Sequence, residues 1–167
     1  MTELQQMLEA LKRPEYVHVL LNPLPIYGMA MALLALALGL VTGNKGAQMI
    51  ALVLVVLVCG SVWPVGEFGE KAAEHLSVDV DSTGMRWLKI HEDRAEIGKW
   101  AYYITGALAL ATLVVKWKFA KVERWFTALV VLGILTSLGF GAWISHAGGQ
   151  ARHVEFRTGP PPTKPAP

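Results

Sequence analysis

The sequence predicts an all-α integral membrane protein, a four-helix bundle with a short N-terminal helix at the membrane interface. Hydrophobic residues make up 53% of its 167 residues and charged residues 17%, against about 25% charged residues in an average soluble domain. Four segments of near-spanning length contain no Asp, Glu, Lys or Arg: 17–44, 46–66, 100–115 and 125–145. All six tryptophans lie at or near the ends of these segments, as in the aromatic belts of membrane proteins.

Composition also excludes several classes of function. The net charge of +2 provides no field that attracts polyanions, so no nucleic-acid partner is expected. A single cysteine, Cys59, excludes an internal disulfide, a Cys-based zinc site, an iron–sulfur cluster and a thioether-linked haem. The chain has no Gly-rich phosphate loop, Gly-x-Ser-x-Gly or His-Glu-x-x-His motif. We therefore expect no stand-alone enzyme.

A soluble helical bundle with a large core is the alternative interpretation of the apolar segments. Its helices would show a polar face at every third or fourth position. Segments 29–40 and 51–59 have no polar face at all. Membrane spans are therefore the better interpretation.

Residues 1–16 precede the first span and are predicted to form an amphipathic interfacial segment. Thr2 and Gln5 have the spacing of a capping box at a helix start. Apolar side chains share one face of that helix: Leu4, Met7, Leu8 and Leu11. A frayed terminus is the other interpretation, and we find no cleavable signal peptide.

The membrane domain is expected to cover residues 17–153, with spans at about 23–42, 47–66, 98–117 and 125–146. Asn22 and Pro23 resemble a helix start, and Asp81 is placed to cap the helix that leads into the third span. Gly148 and Gly149 are expected to end the fourth span. Residues 154–167 form a Pro-rich tail that we expect to be disordered or in a polyproline conformation.

Four spans bring both termini and the 67–99 connection to one side of the membrane. The short turn at 116–124 is dense in cations, which indicates that it is cytoplasmic: Lys116, Lys118, Lys121 and Arg124. The other side has ten Lys and Arg residues spread over longer segments. We therefore expect a multi-pass protein of the bacterial inner membrane with periplasmic termini.

All five histidines fall on the side of the termini: His18, His75, His91, His146 and His153. Three of them lie on different helices at similar depth, since His18 precedes the first span, His91 leads into the third and His146 closes the fourth. Ionisable groups at membrane depth usually have partners or a function, and haem in membrane bundles is held by inward-facing histidines. These three are the candidate cofactor-binding residues for haem b. Hydrogen bonding to headgroups and water is the alternative.

His91 and His146 are the first-choice ligands of the haem iron, because spans three and four form a direct hairpin. His18 is the alternate ligand and His153 a weaker one. Small residues follow His91 along one helix face (Ala95, Gly98, Thr105 and Ala109, with Tyr102 between them), and span four has Gly133, Ser137 and Gly141. Such stripes serve either close helix packing or a slot for a flat macrocycle.

The acidic 67–99 connection offers a different metal site. His75 and His91 with Glu92 and Glu96 have the ligand types of non-haem iron or manganese proteins. The Glu-x-x-His spacing typical of bundle carboxylate sites is absent. A solvated acidic loop is the competing interpretation.

The segments 18–28, with His18, Pro23 and Pro25, and 146–153, with His146 and a Gly-Gly pair, resemble a bacterial family of four-span membrane proteins of unassigned function. Residues 18–28, HVLLNPLPIYG, are similar to the family's His-Pro-x-x-x-Pro-x-Pro-Ile-Gly opening, with Val19 in place of the first proline. Residues 146–153, HAGGQARH, resemble its closing His and Gly-Gly pattern, and His91 matches a histidine that enters the third span. The family has been thought cytochrome-like. The resemblance therefore implies functional roles for His18, His91 and His146, and a weaker one for His153.

The sequence favours a b-type cytochrome-like protein that transfers electrons between a quinol or membrane redox partner and a larger complex. It would be an electron-transfer subunit rather than an enzyme. The first alternative is a cofactor-free accessory subunit of a respiratory or photosynthetic complex, a hetero-oligomeric role that suits the small-residue stripes. The second is a His–carboxylate metal-binding membrane protein.

Overall fold

The computed structural model describes residues 2–76, 80–119 and 122–162, and this part of the chain contains helices and no strand. The α-helices are α1 (Glu3–Ala10), α2 (Pro14–Leu21), α3 (Met29–Val41), α4 (Lys45–Leu76), α5 (Ser82–Lys118) and α6 (Glu123–Arg152). A π-helix, Leu24–Gly28, connects α2 to α3, and a 3₁₀ turn, Val154–Phe156, follows α6.

Four helical segments are long and apolar enough to cross a membrane: Pro14–Val41, Lys45–His75, Ser82–Lys116 and Glu123–Arg152. The predicted all-α four-span class is confirmed. Each span exposes large apolar side chains, for example Leu34, Leu57, Leu110 and Leu132 at 52–64% exposure. Apolar surface this extensive is expected to contact lipid, because soluble proteins rarely expose it.

The first span begins earlier than the sequence indicates. Pro14 occupies the first turn of α2, and Asn22, expected to cap a helix start, has helical backbone angles and ends α2. The chain continues into the π-helix, which contains the buried Pro25. Pro23 and Pro25 have no N–H and cannot bond to carbonyls one turn back, so the regular α ladder is interrupted there.

Local capping explains three further helix ends, namely the end of α3 and the starts of α4 and α5. Gly43, with φ +64°, closes the turn after α3, and the Asn44 side chain accepts the Ala47 N–H at the start of α4. The predicted Asp81 cap is confirmed, because its carboxylate accepts the Gly84 N–H at 2.7 Å. The predicted stop at 148–149 is wrong, since α6 continues to Arg152.

The N-terminal helix α1 has the predicted capping box between Thr2 and Gln5. Its apolar face contacts no core, and Leu4, Met7 and Leu8 are all more than half exposed. An unpartnered apolar face next to the first span is compatible with a position on the membrane surface. Contact with lipid stays a prediction.

Inside the bundle, α5 and α6 form the closest pair. A Cβ on Gly98 would lie 2.6 Å from Ile144 Cδ1, and one on Gly133 would lie 2.6 Å from Thr105 Oγ1. The buried hydroxyls of Thr105 and Ser137 are 3.1 Å apart. The small-residue stripes therefore serve close helix packing along most of their length.

Two predictions about the ends of the spans need correction. Trp63, Trp100, Trp125 and Trp143 are exposed at the helix surface, but Trp87 is buried against Ala147 and Ala151. Residues 154–157 do not leave the bundle as a free tail, because Arg157 donates to the Gln150 carbonyl at 2.8 Å and to Asp81 at 2.8 Å. The side chains of Trp117 and Lys118, all of Lys121 and residues 163–167 lie outside the described part.

Candidate functional site

A cavity of about 890 Å³ lies at the end of the bundle that carries the described termini. Its walls come from α2, α4, α5 and α6 together with the π-helix. Both α2 and α5 pack on α4, and α5 also packs on α6. Because α2 and α5 both pack on α4, the cavity lies between α2 and α5. Its volume is within the range of about 300–1,000 Å³ that is typical of ligand sites.

His18 enters this cavity from α2. Its half-buried ring places Nδ1 2.9 Å from the backbone oxygen of Val65 in α4. A carbonyl only accepts hydrogen bonds, so Nδ1 carries the proton and donates it. Neutral His18 therefore keeps its lone pair on Nε2, the form of imidazole that binds a metal.

Gly69 lies one turn beyond Val65 and provides the space for the His18 ring. A Cβ at Gly69 would stand 2.9 Å from His18 Cε1 and 3.0 Å from Nδ1. Any larger residue would push the ring away from the carbonyl. The ring position therefore depends on a glycine at this site.

His91 enters the same cavity from α5 and is held in the same way. Its Nδ1 lies 2.9 Å from the carbonyl oxygen of Ile144 in α6. A Cβ on Gly148, four residues after Ile144, would stand 3.0 Å from Nδ1 and 3.1 Å from Cε1. By the same reasoning, neutral His91 keeps a free lone pair on Nε2.

The two halves of the bundle thus repeat one arrangement. In each half a histidine donates Nδ1–H to a carbonyl of the next long helix, and a glycine four residues later makes room for its ring. The sequence shows no internal repeat, because His18 and Gly69 are 51 residues apart (69 − 18) and His91 and Gly148 are 57 apart (148 − 91). The equivalence emerges only from the folded helices.

His146 does not line the cavity. It is exposed, and its ring meets Trp87 edge-on at a centroid distance of 6.0 Å. Helical residues advance by about 100° each, so His146 is turned about 200° from Ile144, whose carbonyl faces His91. The structure therefore brings His91 together with His18, the alternate of the sequence analysis, and not with His146.

The remaining histidines have surface positions. His153 lies at the rim of the cavity, where Nδ1 is 2.9 Å from Glu155 and the ring stacks on Phe156. His75 is exposed and is not part of the lining. Among the described residues, no group of three or more His, Cys, Asp or Glu side chains is placed to hold a metal ion. That finding gives no support to the His–carboxylate alternative.

The cavity is apolar towards the membrane and charged towards the outside. Its membrane end is lined by Pro25, Ile26, Val62, Trp63 and Tyr102. The outer end carries six carboxylates, which belong to α2, α4 and α5, and four cationic side chains. A ligand with an apolar body and a polar edge matches this division.

The donor set fits haem. The imidazoles of His18 and His91 line one cavity, and each has Nδ1 at a carbonyl oxygen and Nε2 without a hydrogen bond within the described residues, so both could serve as ligands to a haem iron. The backbone carbonyls act as the outer partners that orient metal-binding histidines.

Comparison of the chain with known protein families, curated proteins and solved structures finds no match.

Proposed function

We propose that the protein is a multi-pass membrane protein that binds one non-covalent b-type haem between His18 and His91. The observation that carries the proposal is the shared arrangement of these two rings, which face one cavity from α2 and α5. The pair of His18 and His91 replaces the pair of His91 and His146 expected from the sequence, because His146 is turned away from the cavity.

The chain supplies position and burial, while bound haem supplies a one-electron redox couple. Val65 and Ile144 hold the two imidazoles in a single tautomer through their carbonyl oxygens. The apolar lining of the membrane end would shield bound haem from water on that side. Fixed neutral ligands and a dry surrounding are two means by which a protein sets the potential of haem.

Electron transfer is the function that suits such a site. The cavity lies at the level of Trp63 and Trp143, which neighbour Val65 and Ile144 in sequence and mark an interface between membrane and water. A redox group at this depth is within reach of a membrane-soluble quinol and of a redox complex outside the membrane. We place this side in the bacterial periplasm on the basis of the cationic turn at 116–124.

Optical spectroscopy of purified protein, reconstituted with haem in detergent, tests the proposal. The full chain is expected to show the spectrum of a low-spin haem with two histidine ligands. His18→Ala and His91→Ala should each abolish that spectrum. His146→Ala is the matched control, because it removes a histidine of the same end of the bundle that does not line the cavity.

Other results would contradict the proposal. Absence of a Soret band in the reconstituted wild type would favour a cofactor-free accessory subunit. Loss of haem in His146→Ala and its retention in His18→Ala would restore the pair expected from the sequence. Either outcome is read directly from the spectra.

A further inference from the structure

The charged end of the cavity contains four cationic side chains. Three of them form ion pairs with carboxylates of the same lining: Arg13 with Glu15 at 2.7 Å, Lys89 with Glu92 and Asp93 at 3.3 and 3.2 Å, and Lys99 with Glu96 at 2.7 Å. Arg152 is the fourth, and within the described residues it has no ion pair. It is therefore the lining cation that is available to a bound anion.

Arg152 also has a defined position relative to the proposed ligand His91. It follows Gly148 by four residues, so it lies on the same face of α6 one turn further out. Gly148 contacts the His91 ring directly. Arg152 also lines a smaller cavity of about 420 Å³ beside Asp81. The Asp81 carboxylate forms its ion pair with Arg157, at 2.8 Å, and not with Arg152.

We propose that Arg152 binds a propionate carboxylate of the haem and thereby sets the orientation of the macrocycle. The inference rests on the proposed function, since it assigns a partner to one edge of the same ligand. The apolar end of the cavity, around Ile26 and Tyr102, accepts the hydrocarbon edge of the ring. The two carboxylates then point to the outer end, where a guanidinium is the preferred partner for a carboxylate.

Haem titration of the full-length protein in detergent tests this role. The probes are iron protoporphyrin IX and its dimethyl ester, which has no charged propionate. Arg152→Gln is expected to raise the Kd for protoporphyrin by about fivefold, as for a partly exposed ion pair, and to leave the Kd for the ester unchanged. Arg152→Lys should recover part of the loss. Arg86→Gln, an exposed substitution on α5 away from the cavity, should change neither value.

The possible failures are distinguishable. Wild-type protein that binds neither probe would overturn the haem function and this inference with it. Wild-type binding of protoporphyrin with an unchanged Kd in Arg152→Gln would overturn the role of Arg152 alone. An equal loss of affinity for both probes would assign Arg152 a structural effect and would also overturn it.

Discussion

Gly69 and Gly148 occupy equivalent places in the two halves of the bundle, each against the ring of a histidine that belongs to the preceding membrane span. The contact distances for a Cβ agree closely, at 2.9–3.0 Å from His18 and 3.0–3.1 Å from His91. Each ring reaches a helical carbonyl oxygen that a side chain at the glycine position would cover. The two glycines are therefore as much a part of the site as the two histidines.

Alanine at either glycine should weaken haem binding without unfolding the protein. In Gly69→Ala and Gly148→Ala the new methyl group displaces the ring from its carbonyl, so the orienting hydrogen bond is lost or lengthened. Loss of such an outer partner typically lowers metal affinity by about 10–100-fold, and we expect at least the lower value. Haem titration followed by absorbance measures the effect.

Each helix has its own control for this prediction. A Cβ on Gly60 in α4 or on Gly139 in α6 would meet no heavy atom within 4 Å. Gly60→Ala and Gly139→Ala should therefore bind haem as the wild type does. Equal loss of affinity in the control and the site variants would refute the role of the two glycines.

The four spans were predictable because the absence of charge over about 20 residues is a local property of the sequence. The cap at Asp81 was predictable for the same reason, since a capping side chain acts on its own first turn. The position of His18 and His91 on the lining of one cavity was not predictable. It depends on which face of α6 meets α5, and a difference of two residues turned His146 away from the cavity.

Gly69 carries no signal in the sequence that distinguishes it from Gly60 or Gly66. Its role arises because α2 packs on α4 at one particular height, which places the His18 ring there. The sequence marks Gly148 as a helix stop and as part of a Gly-Gly pattern, and neither feature predicts its contact with His91. The sequence thus indicates which residue types are candidate ligands, while the contacts around them depend on the packing of the helices.

Removing the carboxylate of Glu123 should destabilise the opposite end of the bundle. Glu123 forms ion pairs with Lys45 and, at 3.5 Å, with Lys116, whose side chain is only 5% exposed and also donates to Gln48 at 2.7 Å. Glu123→Gln leaves the Lys116 ammonium with fewer partners in a nearly buried place. We expect a loss of about 1–3 kcal/mol of unfolding free energy, measured by denaturation in mixed detergent micelles.

Glu9→Gln is the matched control for this carboxylate. Glu9 pairs with Lys12 three residues away, and both side chains are more than half exposed. Exposed pairs of this kind contribute about 0–1 kcal/mol. A Glu123 variant as stable as the Glu9 variant would show that the buried Lys116 does not depend on its carboxylate.

Tyr102→Phe should leave the haem-free protein equally stable or make it more stable. The Tyr102 hydroxyl is fully buried and has no hydrogen-bond partner in the described structure. A buried hydroxyl without a partner is unfavourable, so its removal relieves a cost. Denaturation of the two haem-free proteins under identical conditions gives the comparison. A loss of more than about 1 kcal/mol would reveal a hydrogen bond to this hydroxyl.

The link between Asp81 and Arg157 should make stability depend on pH at acidic values. The Arg157 guanidinium, and after it the Gly84 N–H, hold the pKa of the Asp81 carboxyl below its usual value. A carboxyl with a lowered pKa in the folded state stabilises the protein fully above its unfolded pKa of about 3.9. The stabilisation is lost as the pH falls from there through the lowered folded pKa.

Asp81→Asn isolates the charge, because asparagine caps helices about as well as aspartate. The melting temperature of this variant should fall less than that of the wild type between about pH 5 and pH 2, the region in which the carboxyl titrates. The melting temperature of Arg157→Gln should also depend less on pH than that of the wild type in the same range, since this variant lacks the main cause of the lowered Asp81 pKa. If the three profiles run parallel throughout, the ion pair does not couple the start of α5 to the segment after α6.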